Sequence, residues 1–295
     1  MARIAIVGPG AVGGVMAAWL GKSGQHEVIL CARRPLGELH VETPQGLLIA
    51  RPTVLTSPAE AMPVDWVLVA TKAYDSAGAA AWLKKLAANG APVAVLQNGV
   101  EHRERFAPFL PLQQIVPVMV DCPAERLTPT SIRQRNTAKM VVQNDALGAE
   151  FVKLFVGTPV EVTTTDDLKS EVWRKLCVNA AGVISGIVMQ PSGVMHDEKL
   201  GDLSREIVRE CIAVGRAEGA VMDDLLADTV LQKYRNAPPD SVNSLHADRI
   251  AGRGTEIDAR NGVIVRLGRK HGIAAPCNQM AVALIEAMTR ASQSG

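Results

Sequence analysis

Lys175 and Asn179 lie four residues apart in Trp173-Arg174-Lys175-Leu176-Cys177-Val178-Asn179, a spacing that puts both on one face of a helix. Val172, Leu176 and Val178 are apolar, so the lysine leaves a mostly buried element. A lysine held there loses hydration and its pKa falls towards the working pH, where it can act as a general acid. The spacing equally allows a lysine that snorkels beside a packing asparagine. Near the other end of the chain, Gly8-Pro9-Gly10-Ala11-Val12-Gly13-Gly14 carries glycines spaced G-x-G-x-x-G. The first glycine lets the chain turn, the second lets backbone N–H groups approach a pyrophosphate, and the third lets a helix sit close to a strand. The alternative is a glycine turn with a purely structural purpose.

The motif needs a strand before it and a helix after it, and both are present. Residues 4–7 form a short β-branched run, Ala-rich helix formers follow from residue 15, and a second apolar strand is expected over residues 27–31. Where NAD-preferring sites place an acidic residue for the ribose 2′-hydroxyl, this chain has Cys31-Ala32-Arg33-Arg34. Two guanidiniums suit a 2′-phosphate, so the cofactor is expected to be NADP(H); the alternative is that Arg33 and Arg34 are solvated loop charges.

Short strands or loop edges are expected over residues 45–50 and 52–55, a buried strand over residues 65–70, further strands over residues 92–96, 115–120 and 140–142 and a short one over residues 160–164, with helices over residues 76–86 and 147–155, the latter capped by Asn144 or Asp145. Ligands of open α/β sheets bind beyond the carboxyl ends of the strands, which brings Lys72 and Asn98 to the rim where the cofactor should lie. From Asp166 onward the pattern is helical: a helix through residues 168–181, then residues 200–219, 223–234, 244–251, 256–272 and 278–292. The expected division is therefore a dinucleotide-binding α/β domain over residues 1–166 and an all-helical domain over residues 167–295.

The chain has 295 residues, 47% hydrophobic and 21% charged, enough for two packed cores. A formal net charge of +1 without a long basic run gives no reason to propose nucleic acid or a membrane as partner. Apolar stretches are interrupted well before the ~20 residues of a membrane span, and with a buried strand expected directly at the start of the sequence no signal peptide is expected. Five scattered cysteines read as reduced thiols and suit a cytoplasmic location. With the histidines dispersed, no metal site is proposed.

The glycine loop, Thr71-Lys72-Ala73, Asn98-Gly99-Val100, the block from Trp173 to Asn179, and Thr255-Glu256-Ile257-Asp258 with Asn261-Gly262 together resemble the ketopantoate reductase (2-dehydropantoate 2-reductase) family over essentially the whole chain. The resemblance implies a Rossmann domain joined to a helical domain like that of 6-phosphogluconate dehydrogenase, with the active site between them. It implies reduction of 2-dehydropantoate to (R)-pantoate with NADPH, on the route to pantothenate and coenzyme A. Lys175 would be the general acid. Asn98 would help place nicotinamide and substrate, Asn179 and Ser244 would hydrogen-bond the substrate, and Glu256 would position its hydroxyl and lie near the cofactor ribose. Arg33 matches the arginine that reads the 2′-phosphate, and Lys72 the lysine beside it. The helical half could also provide a homodimer surface.

Two departures from the family bear on the substrate. Val183 stands where the family commonly has a second asparagine, one turn beyond Asn179, and residues 122–126 and 134–137 replace a glycine- and histidine-containing stretch. They favour a rival on the same fold, a reductase of a different 2-keto acid. A non-catalytic NADPH-binding sensor is the rival from another class; it would need only the nucleotide site.

Overall fold

The computed structural model describes residues 1–293; Ser294 and Gly295, the end of the expected helical domain, lie outside the described residues. The chain divides into two compact units, Met1–Gln97 with Glu101–Leu168, and Asn98–Val100 with Lys169–Gly295. Asn98 thus belongs to the helical unit although the strand before it belongs to the other.

The first unit is built on a parallel sheet of β1 (Arg3–Val7), β2 (Glu27–Cys31), β5 (Thr53–Leu55), β6 (Trp66–Val69), β7 (Val93–Val95) and β8 (Ile115–Pro117), ordered β5-β2-β1-β6-β7-β8. Ranked by position in the chain, that order is the 3-2-1-4-5-6 of dinucleotide-binding folds, with its switch point between β1 and β6. The strands are near-continuous apolar runs because both faces are covered. Alternation sorts them: Ile4, Ile6, Leu30 and Leu68 pack with Met16, Leu20 and Phe151 on one face. Ala5, Val7, Val67 and Val69 pack with Trp82, Leu83 and Phe106 on the other. Trp82 and Leu83 belong to α2 (Ser76–Leu86), and Phe106 to the short α3 (His102–Phe106).

α1 (Ala11–Ser23) is buried from Gly13 to Leu20 because a second sheet covers it. That sheet runs β10-β11-β3-β4, from β3 (Leu39–Thr43), β4 (Gly46–Ala50), β10 (Ala124–Arg126) and β11 (Ser131–Gln134). The Trp19 indole on α1 donates to Gln134 at 2.9 Å, so the unusual 122–137 stretch builds the lid of this helix. β3, β10, β11 and α3 were not foreseen, since each is short and partly polar.

The strand expected over residues 115–120 is two strands. β8 ends at Pro117, which has no N–H to continue the ladder. β9 (Met119–Asp121) pairs antiparallel with β12 (Lys139–Gln143), which pairs in parallel with β13 (Glu161–Thr165). α4 (Ala146–Leu154) is capped by Asp145, whose carboxylate accepts from the Gly148 N–H at 2.7 Å.

The second unit consists of α5 (Leu168–Ala181), α6 (Val183–Val188), α7 (Glu198–Ala217), α8 (Leu226–Arg235), α9 (Ser244–Ile250), α10 (Val263–Lys270) and α11 (Pro276–Gln293). Its core gathers Trp173, Leu176, Cys177 and Ala180 of α5 with Ile207, Val208 and Cys211 of α7. α6 is an addition to the sequence expectation. The helix expected over residues 256–272 is divided: Asp258–Gly262 form a wide π-helical turn ahead of α10.

Candidate active site

In the first unit, the glycine turn closes the carboxyl end of β1. Gly8 has φ +97°, and a Cβ there would lie 2.7 Å from the Thr71 methyl and 2.8 Å from the Thr71 N. A Cβ on Gly13 would run into the carbonyl oxygen of Gly8, whereas one on Gly10 would have only Ala70 O, 4.0 Å away. Gly8 and Gly13 are therefore required by packing, while Gly10 keeps a clear approach to the backbone. α1 starts from Gly10 with no side-chain cap, so its first N–H groups and partial positive charge are offered to an anion. Pro9, Ala11 and Val12 border this turn at intermediate exposure. The turn has the shape and donors to hold a dinucleotide pyrophosphate.

Arg33, just after β2, is 89% exposed at its side chain, with the Asp75 carboxylate 3.8 Å away. Lys72 ends the turn after β6, and that turn is fixed from below. Buried Gln97 donates from Nε2 to Thr71 Oγ1 at 3.0 Å and to Lys72 O at 3.3 Å, while its Oε1 accepts from Ser76 Oγ at 3.2 Å.

His102 Nε2 lies 2.9 Å from the Gln97 carbonyl. Burial, with Arg105 adding repulsion and the Gln97 hydrogen bond partly offsetting both, pushes its pKa down to about 4. The neutral ring is the folded form, so stability is full above the unfolded value of about 6.5 and is lost as pH falls towards 4. Acidification to pH 4 should cost about 3 kcal/mol from this residue alone. Urea unfolding at pH 7 and pH 4.5 checks it: His102→Gln should flatten the pH dependence, and an unchanged slope would refute the assignment.

In the second unit, Lys175 and Asn179 are half-buried while Val172, Trp173, Leu176, Cys177 and Ala180 are buried, so the two polar side chains leave α5 beside its buried apolar face. Asn179 Nδ2 donates to Asn98 Oδ1 at 3.3 Å, and Asn98 Nδ2 donates to Glu256 Oε2 at 3.0 Å. Glu256 is 6% exposed. Three residues from distant parts of the chain thus form one directional chain, in which the carboxylate is the terminal acceptor. Ser244 opens α9 and is exposed; it is the neighbour of Asn243, which caps that helix by accepting from the His246 N–H at 3.1 Å. Val183 is fully buried in the apolar core of the second unit. Tyr234, Asn243 and Arg260, which carry no motif in the sequence, donate to carbonyls at the end of α5 and just beyond it. An arginine in a buried stretch one turn after Glu256 was the available signal.

A family model described as ketopantoate reductase PanE/ApbA matches residues 4–146, and the one for the C-terminal part of the same family matches residues 167–289. A 2-dehydropantoate 2-reductase of Caulobacter vibrioides is 50% identical over 97% of this chain and 99% of its own length. One from Mycobacterium tuberculosis is 40% identical over 96% and 97%. Among solved structures, a PanE/ApbA family ketopantoate reductase from Ralstonia eutropha JMP134 superposes with a TM-score of 0.90 at 31% identity, covering 99% of both chains.

Proposed function

The chain belongs to the ketopantoate reductase family, and from that premise we propose that it reduces 2-dehydropantoate to (R)-pantoate with NADPH. It is an oxidoreductase with a Rossmann-type α/β unit and a helical unit. Gly8 to Gly13 would hold the pyrophosphate, with Arg33 and Lys72 at the 2′-phosphate. Bound there, the reduced nicotinamide supplies a hydride to the substrate C2.

The residues of the chain supply orientation and a proton. Lys175 gives its ammonium proton to the carbonyl oxygen as the C2–H bond forms, which yields a 2-hydroxy acid and a neutral lysine that solvent reprotonates. Asn179 and Ser244 donate to the substrate carboxylate. Asn98 is held by accepting from Asn179 and donating to Glu256, and Glu256 accepts from the substrate hydroxyl. The observation that carries this assignment is the Glu256–Asn98–Asn179 hydrogen-bond chain, one helical turn from Lys175. The same proposal includes a cytoplasmic location; among the described residues no helix is long and apolar enough to cross a membrane.

NADPH oxidation with 2-dehydropantoate beside a panel of other 2-keto acids tests the substrate. A clear preference for 2-dehydropantoate is expected. Turnover of only another keto acid would favour the rival that the apolar Val183 suggests.

A further inference from the structure

Helix ends leave backbone carbonyls without N–H partners, and the end of α5 is met by side chains from three other segments of its own unit. Tyr234 Oη donates to Val178 O at 2.9 Å, Asn261 Nδ2 to Ala180 O at 3.2 Å and Asn243 Nδ2 to Gly182 O at 2.9 Å. Arg260 Nη2 donates to Asn179 O. Three of these donors are neutral, which suffices for a cap. Arg260 is a cation, only 2% exposed, and its Nε is buried without a hydrogen-bond partner. Arg260 is in none of the salt bridges found among the described residues; Tyr234, Glu256 and Asp248 act on it as charges that offset its burial in part. A buried cation without a close counter-ion is costly, and a purely structural cap does not require one.

The seat of Arg260 shows what it joins. Its backbone N–H donates to Glu256 O at 3.1 Å, and it lies in the wide turn Asp258–Gly262. A Cβ on Gly182 would come within 3.0 Å of Nη2, so the guanidinium fits against that glycine without slack. Arg260 thereby ties the carbonyl of Asn179 to the turn that follows Glu256, and so links the two ends of the Glu256–Asn98–Asn179 chain. The π-helical turn lets Arg260 and Asn261, adjacent in sequence, reach the adjacent carbonyls of Asn179 and Ala180, consistent with such turns marking functional sites.

We propose that Arg260 is a positioning residue of the reductase: it clamps the end of α5 to the Glu256 turn and so sets the spacing of Lys175, Asn179 and Glu256 for a bound 2-keto acid. The proposal rests on the reductase function above. A merely structural arginine would change stability and the yield of folded protein, but not the kinetic constants of the folded enzyme.

The test compares Arg260→Met, Arg260→Lys and wild type by thermal unfolding, NADPH affinity and keto-acid kinetics. Misplacement of reacting groups by a fraction of an ångström is costly, so kcat/KM of folded Arg260→Met should fall about 30-fold. NADPH affinity should stay unchanged and Arg260→Lys should be intermediate. A kcat/KM for Arg260→Met close to wild type overturns the proposal, as does a loss matched by an equal loss of NADPH affinity. If Arg260→Met does not fold, Arg260→Lys decides alone: a raised KM with unchanged NADPH affinity supports the clamp, and a wild-type KM overturns it. If wild type turns over none of the keto acids, the proposed function fails separately. The side-chain amide NMR signals of Asn179 then decide the clamp: they should shift in Arg260→Lys, and unchanged signals overturn it.

Discussion

Replacing Lys175 by alanine is expected to lower kcat by about 10²- to 10⁴-fold, the range general acid catalysis supplies, while NADPH still binds with its original affinity. The proton has to reach the carbonyl oxygen as the hydride arrives, and alanine leaves water as the donor. Lys175 projects from α5, whose buried residues hold the helix in the core of the second unit. Removing a half-buried side chain therefore leaves that core intact. The glycine turn and Arg33 are in the first unit, so nucleotide affinity should not follow the loss. Stopped-flow turnover with fluorescence titration of NADPH makes the comparison. A sensor that only binds nucleotide would be indifferent to the substitution, and near-wild-type turnover would refute the assignment of Lys175 as proton donor.

Arg33→Ala should weaken NADPH about 10- to 100-fold, the loss of one or two hydrogen bonds to a charged group, and leave NADH nearly unchanged. Only NADPH carries the 2′-phosphate that a guanidinium can grip in bidentate fashion. The Arg33 side chain is 89% exposed and 3.8 Å from Asp75, so little folding stability depends on it. Affinity should therefore change without a fall in Tm. The contribution should also shrink as salt is raised, because an exposed charge is screened. Equal weakening of both cofactors would contradict the role of Arg33.

Other features of the fold show where sequence patterns suffice. α2 spans Ser76–Leu86 and α5 spans Leu168–Ala181, as the spacing of apolar residues and the end signals predict, because helix formation is governed by neighbours three and four residues away. The divided strand at Pro117 and the two strands β10 and β11 over α1 depend on partners far along the chain, for which local pattern carries little information.

The same division runs through the site. By itself the sequence determined the strand-turn-helix with Gly8, Gly10 and Gly13, the arginines after β2, and the shared face of Lys175 and Asn179, each fixed by backbone sterics or helical period over a few residues. Tertiary structure alone decided that Asn98 joins the helical unit and stands in hydrogen-bond contact with Asn179 and with Glu256, 81 and 158 residues further along. It also decided that Arg260 meets the end of α5. Such pairings are set by how the helices pack, and a hydrogen bond of 3 Å depends on that packing far more than on any spacing in the chain.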